Sequence, residues 1–567
     1  MAQMIDRPHR TAYLDYETLT ATLRGWAAAH PTVVRLHSLG TSEEGRELWV
    51  LTLGEDPDRD RPSVWVDGNM HASELAGSNV ALDIAAQKIL LHAGERTAFG
   101  LPEHVCDALR EVRFFVMPRM CPDGAEATLK DGRYVRSNPR DRRPASPTPQ
   151  WKSGDVDGDG HARIMRQVSD DGEFVESATC PGLLLPRELE DRGPFYKVYP
   201  EGSIEHFDGT IPDPHYLQDN DTDLNRNFPY TWRPEPDQAG AGRYPLSEPE
   251  SRAVVEFTTQ NPTIFAWLNL HTFGGVYIRP LGTAPDHKMN ADDLAVFRQV
   301  GAWAETYGGY PMVNGFDDFL YEPEKPLYGD LSDYAYHQRG AIAYVCELWD
   351  LFRVIGMEKK KPFVDHYSHL TRADLERLYA WDKAENHGRV FPPWRPFTHP
   401  QLGPVEVGGL DIRFGITNPP MERLAEMCDA QSAAFLRVAA MAPKVRLTHT
   451  GTTKVGEVAR VSFRVENVGY LPTHVLDSAR KLGHGEPLTA VAEAHGCELL
   501  DDAAGRRELG HLLGYGRGLH AHSIFHLRSR GSVSRKDLTF TVRGSGVLTV
   551  RVAGHRVGAL TARIEVP

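Results

Sequence analysis

Four short stretches carry side chains able to act on a polar bond. VDGNMHASELAG (66–77) places His71 and Glu74 three residues apart, directly after a strongly apolar run. WLNLHTFGG carries His271 at the end of a second apolar run, and AYVCELWD carries Glu347 at the end of a third. DTDLNRNFP (221–229) supplies Asp223, Asn225 and Arg226. Two imidazoles and one carboxylate form a recurring zinc-ligand set that leaves one position open to water. Zinc held this way lowers the pKa of that water and polarises a carbonyl. A carboxylate such as Glu347, closing a buried run, must be hydrogen-bonded, paired or functional. Beside an activated water it can accept a proton and return it to a leaving group. An arginine grips a carboxylate in bidentate geometry, and Asp223 could fix the tautomer of a metal-bound histidine. Taken singly, each motif also has a plain structural reading: a helix start, a core histidine, half of an ion pair, a capped turn.

The elements that must position these groups are legible around them. SVWVDGN (63–69), VRFFVMP (112–118), TIFAWLNL (263–270) and AIAYVCEL (341–348) are short, nearly continuous apolar runs. Such runs fit strands buried on both faces. VVRLHSLGTS and RELWVLTLG, separated by a Glu-Glu-Gly turn, predict a hairpin. YETLTATLRGWAAAHP and SNVALDIAAQKILLHAG predict helices. Alternating strands and helices predict an α/β fold, a mixed and mostly buried sheet flanked by helices. His71, Glu74, His271 and Glu347 all lie at the ends of such apolar runs, where open α/β sheets bind ligands.

At 567 residues the chain is too long for one core. Residues 1–400 read as the unit bearing the motifs, with a long insertion over the sheet at 131–222 that is rich in Arg, Asp, Gly and Pro. Residues 401–443 read as a connecting segment containing one helix. The alternating runs of 444–567 predict a small all-β sandwich domain. A formal net charge of -14 disfavours nucleic acid and anionic membranes as partners. The six cysteines are scattered, without a disulfide framework or a C-x-x-C pair. The amino terminus lacks the apolar core of a secretory signal, and no run is long enough to span a bilayer, so the expected location is cytoplasmic.

Taken together, the motifs resemble the zinc metallocarboxypeptidases of the carboxypeptidase A-like (funnelin, M14) family. The likeness runs from Tyr13 to Asp350 through YLDYETL, LHSLGTSEEGRELWVLTLG, GNMHASE, CPDG, DLNRNF, YPLSEPE, NLHTFGG and DYAYHQRGAIAYVCELWD. It implies one Zn2+ held by His71, Glu74 and His271, with Glu347 as general base and acid. It implies that Asn225 and Arg226 hold a substrate's terminal carboxylate, and that Arg136 in GRYVRSNPR stabilises the oxyanion. The implied partner is a peptide with a free C-terminal carboxylate. Three positions depart from the family pattern. Ala72 and Ser73 stand where relatives often have an arginine between the His and the Glu. The mobile tyrosine maps to Tyr328, with Tyr321 as the other candidate. Ser332, at a position that helps define the side-chain pocket, signals neither a basic nor an aromatic preference.

The implied function is zinc-dependent hydrolysis of a C-terminal peptide bond. The alternatives are N-acyl-amino-acid deacylation, as in aspartoacylase-like relatives that also carry a DLNR-type motif, and hydrolysis of a modified or cell-wall peptide. The long segment after His271, with DYAY and the late Glu347, favours the peptidase. A non-catalytic binding protein would be expected to have lost a ligand or the base, and none is lost.

Two further motifs remain. Asp155, Asp157, Asp159 and Gly160 match the first half of a calcium loop, but Arg166 stands at its twelfth position. The segment reads either as a Ca2+ site or as a metal-free Asp-rich turn. HAHSIFH would set His520, His522 and His526 on one strand face without a carboxylate or Cys, so metal is not expected there.

Overall fold

A computed structural model describes residues 5–94, 99–140, 147–213, 222–322, 325–482, 485–501, 505–519 and 529–567. The HAHSIFH motif lies outside the described residues.

The centre is an eight-stranded mixed sheet. Its strands are β1 (Val34–Thr41), β2 (Glu47–Leu53), β3 (Ser63–Gly68), β4 (Arg113–Met117), β5 (Ile264–Thr272), β6 (Val276–Arg279), β7 (Met312–Asn314) and β8 (Ile342–Leu348). Their order is β1-β2-β4-β3-β5-β8-β6-β7. β1 and β2 form the expected antiparallel hairpin. The four apolar runs became β3, β4, β5 and β8, which lie side by side and parallel. β3, β4 and β5 are buried along their whole length, as strands covered on both faces must be. Because β3, β5 and β8 run in one direction, their carboxyl ends share one edge of the sheet.

The Ala76–His92 helix is buried on all sides up to Leu91. It lies between the sheet and a second helix, Leu424–Ala439, so an apolar stripe on one face would not suffice. Its start sits hard against the strands. A Cβ on Gly77 would come within 2.9 Å of the Leu270 carbonyl, and one on Gly68 would collide with the Gly77 carbonyl. Asp83 joins three segments: it accepts from Arg10 at 2.8 Å and from Ser432 at 2.8 Å, and it lies beside His9. Burial opposes its ionisation, but His9 and Arg10 hold its pKa at about 2.

Two expectations about domain limits need correction. The 131–222 insertion is not a bare loop. Ile164–Val168, Phe174–Glu176, Leu184–Pro186 and Phe195–Pro200 form a six-stranded sheet with Arg395–His399 and Gly403–Gly408. A boundary at 400/401 would cut the last hairpin in its turn. The 401–443 segment is likewise no mere connector, because Leu424, Cys428, Phe435 and Leu436 belong to the main core. Pairing over more than 200 residues leaves no local periodicity, so the sequence did not display it.

From Val445 onward the chain forms two four-stranded antiparallel sheets, the expected sandwich. Val461, Phe463, Phe540, Leu548 and Val550 fill its interior. It meets the main unit where Asp293 accepts the Asp477 N–H at 2.7 Å and the Tyr336 hydroxyl at 2.9 Å. No described helix is long and apolar enough to cross a membrane.

Candidate metal and active site

His71 and Glu74 occupy the turn between β3 and the buried helix. His271 is the penultimate residue of β5, and Glu347 is the penultimate residue of β8. The parallel register of β5 and β8 pairs His271 with Glu347 directly. Sheet topology therefore delivers all four groups to one edge.

His71, Glu74 and His271 are buried, and their donor atoms lie within 4.8 Å of one another. His71 Nδ1 is 2.8 Å from Glu74 Oε1, His271 Nδ1 is 3.0 Å from Oε2, and the two Nδ1 atoms are 3.0 Å apart. The far sides of both rings are committed. His71 Nε2 lies 3.1 Å from Asp223 Oδ1, a carboxylate that can only accept when ionised. His271 Nε2 lies 2.6 Å from Asn269 Oδ1. The Asn269 amide nitrogen is occupied by Asp67, so its oxygen must be the atom facing the ring. Asp67 in turn accepts from Trp65 at 2.7 Å and Trp267 at 2.8 Å. Both rings then carry their proton on Nε2 and turn a lone pair on Nδ1 inward, as metal-bound imidazoles do. Two facing lone pairs and a carboxylate fit a shared cation, and the donor set fits Zn2+. Burial opposes charge on Glu74, but the two histidines hold its carboxyl below the ordinary range. Burial and the neighbouring His71 lower the pKa of His271 against the pull of Glu74.

Asp223 is the hub of the adjoining wall. Besides His71 it accepts Arg136 Nε at 3.1 Å and the Asn225 N–H at 2.8 Å. Burial resists its ionisation, but Arg136 and then His71 hold its carboxyl well below the usual range. Arg136 also reaches Glu74 Oε1 at 3.4 Å. The Asn225 side chain accepts the Leu331 N–H at 2.9 Å, and buried Arg226 donates to the Asn225 carbonyl at 2.5 Å. Burial and then the negative charge of Glu74 raise the Glu347 carboxyl well above its ordinary range, with Arg136 opposing.

Tyr328 does not face this cluster. Its ring lies under the Arg233 guanidinium at 5.2 Å and its N–H bonds Gln238 at 3.0 Å. The backbone beside it is tied down, since Phe228 N–H bonds the Gly329 carbonyl at 2.9 Å and Leu331 bonds Asn225. Tyr321, 60% exposed, lies within electrostatic reach of Arg136, Glu347, Arg226 and Glu74. The Ser332 hydroxyl is taken up by Asp330 at 2.6 Å.

In the Asp-rich turn Asp155, Asp157 and Asp159 bring carboxylate oxygens within 4.8 Å of one another, and the same groups hold the turn together. Asp155 caps the N–H groups of Gly158 and Gly160, both at 2.7 Å, and Asp157 and Asp159 cap residues two further on. Arg163 and Arg395 pair with Asp159. Arg166, at the twelfth position, sits in a strand and pairs with Glu176 and Glu406. All three carboxylates thus accept from N–H groups of the turn, and Asp159 also pairs with two arginines.

Sequence reasoning missed Asn269 and Asn418. Asn269 stands two residues before His271 on one strand, and alternate residues share a face, so that partnership was readable. Asn418 carried no such signal. It accepts the Ala76 N–H at 2.9 Å and donates to the Ser73 carbonyl at 2.7 Å, bracing the turn that holds His71 and Glu74.

Fold and site together define a mixed α/β sheet with a candidate His₂Glu metal site at its carboxyl edge, a donor set that fits zinc. The chain belongs to the zinc carboxypeptidase family, whose model matches residues 19–360. A second model, for a domain of unknown function, matches residues 444–565. Among curated proteins, a zinc carboxypeptidase of Saccharothrix mutabilis subsp. capreolus is 33% identical over 138 residues, 24% of this chain and 30% of that protein. Mouse carboxypeptidase D is 35% identical over 107 residues, 18% of this chain and 7% of that protein. These alignments thus span under a third of either relative. Among solved structures, bovine thrombin-activatable fibrinolysis inhibitor in complex with a tick carboxypeptidase inhibitor aligns over 76% of this chain and 98% of that one. That match has 16% identity and a TM-score of 0.42.

Proposed function

We propose that this protein is a metallocarboxypeptidase that removes the terminal residue from peptides with a free C-terminal carboxylate. The observation that carries the reading is the convergence of His71, Glu74 and His271 beside Glu347, with Arg136, Asn225 and Arg226 along one wall. Zn2+ bound by His71, Glu74 and His271 would acidify water and polarise the scissile carbonyl. The chain's own groups do the rest. Glu347 takes a proton from the attacking water and passes it to the departing amine, a task suited to a carboxyl whose pKa is raised. Arg136, aimed by Asp223, donates to the carbonyl oxygen as charge develops on it. Arg226 and the Asn225 amide hold the terminal carboxylate, which limits cleavage to the last bond. Tyr321 takes the part expected of Tyr328, covering the bound terminus.

A library of peptides varied at the C-terminal residue, read by mass spectrometry with and without chelator, tests this reading. Single-residue losses that stop on chelation are expected. Internal cleavage, or activity confined to N-acyl-amino acids, would overturn it.

A further inference from the structure

An apolar cavity of about 550 Å³ lies between the insertion sheet, the Arg372–Glu385 helix and the 409–416 segment. Trp151, Ile164, Leu184, Leu375, Trp394 and Ile412 line it. The charged groups on its wall are paired: Arg413 donates to Asp411 at 3.0 and 2.6 Å, and Arg163 lies 3.6 Å from the same carboxylate. Most of the surface left to meet a ligand is hydrocarbon and aromatic. The volume falls within the roughly 300–1,000 Å³ of ordinary ligand pockets.

The cavity adjoins the candidate active site through one residue. Tyr134, two residues before Arg136, forms part of its wall. The segment containing them runs beside the metal-binding turn, with Ala72 N–H bonding the Arg136 carbonyl at 2.8 Å and Ser73 N–H bonding the Val135 carbonyl at 3.1 Å. Asn418, just past the 409–416 wall, bonds that same turn. His71, Glu74, His271, Glu347 and Arg136 take no part in the lining, nor do Asn225, Arg226 and Ser332. An exopeptidase keeps only one residue on the Arg226 side, so a cavity beyond Arg136 faces the rest of the peptide.

We infer that this cavity binds the apolar side chains of the peptide segment on the amino side of the scissile bond, making the enzyme selective for hydrophobic sequences upstream of the residue it removes. The inference rests on the carboxypeptidase reading. Its occupant is the substrate's own side chains, matched to walls with no unpaired charge.

The test compares kcat/KM for peptides sharing one C-terminal residue. Their two preceding residues are Gly-Gly or Leu-Trp, and a third peptide is Gly-Gly carrying an N-terminal octanoyl group. Wild-type protein should prefer Leu-Trp by about 10-fold or more. Ala162→Trp, which fills the cavity, and Ile412→Asp, which makes it polar, should bring that ratio close to one. Zinc content, melting temperature and turnover of the Gly-Gly peptide should be retained. Equal wild-type turnover of Leu-Trp and Gly-Gly peptides would remove the cavity assignment and leave the exopeptidase reading intact. A preference that survives both folded variants does the same, as does a gain confined to the octanoyl peptide. Failure to cleave any of the peptides would remove both.

Discussion

Asn418 and Ser73 are joined by a 2.7 Å hydrogen bond across 345 residues of chain, from the Asn418 amide nitrogen to the Ser73 carbonyl. The same amide nitrogen donates to the Arg413 carbonyl at 2.9 Å, and the amide oxygen accepts from Ala76 at 2.9 Å. A residue beyond the matched family segment thus braces the turn bearing two metal ligands.

Asn418→Leu should therefore weaken zinc binding without touching a ligand. Loss of supporting hydrogen bonds around metal ligands typically costs roughly 10- to 100-fold in affinity. Competition with a chromophoric chelator measures it. Wild-type affinity in a folded variant would show that the turn holds its shape unaided.

Glu347→Gln should keep zinc and the fold but lose turnover. Gln fills similar space and cannot accept the proton, and loss of a general base costs roughly 10²–10⁴-fold. Metal analysis and kcat on one preparation check both halves. Near-normal kcat would assign the proton transfer elsewhere.

Amidating a peptide's C-terminus and making Arg226→Ala should do overlapping damage. Each removes one side of the same charge-assisted pair, worth roughly 1.5–3 kcal/mol. In the mutant, amidation should cost little more, which is a double-mutant cycle with one change in the substrate. Independent, additive losses would mean that Arg226 does not touch the carboxylate.

Stability should fall in mild acid through His474. Burial, then His511 and Arg480, lower its pKa to about 4 from the ordinary 6.5, with Asp477 opposing. As pH falls below 6.5 the unfolded chain takes up this proton first. The stabilisation present above 6.5 is then lost progressively down to about 4, at up to roughly 1.4 kcal/mol per pH unit. His474→Gln should flatten the denaturation midpoint against pH in that window. An unchanged slope would show that His474 titrates normally.

The sequence by itself determined the central strands and the chemistry they carry. β3, β4, β5 and β8 were legible because strands covered on both faces must be apolar throughout, and the ligand types follow from coordination chemistry. Asn269 was legible too, had the two-residue period of β5 been followed back from His271. Tertiary structure decided what depends on contacts between distant segments. Parallel register set His271 beside Glu347, and pairing of 164–200 with 395–408 turned an apparent loop into a sheet with a cavity beneath it. Tyr321 and Tyr328 both lie upstream of Asp333, and spacing could not separate them. In the folded chain Tyr328 lies under Arg233, whereas Tyr321 comes within electrostatic reach of Arg136 and Glu347. Local patterns report how each residue meets water, whereas hydrogen-bond partners hundreds of residues apart are chosen only when the chain closes on itself.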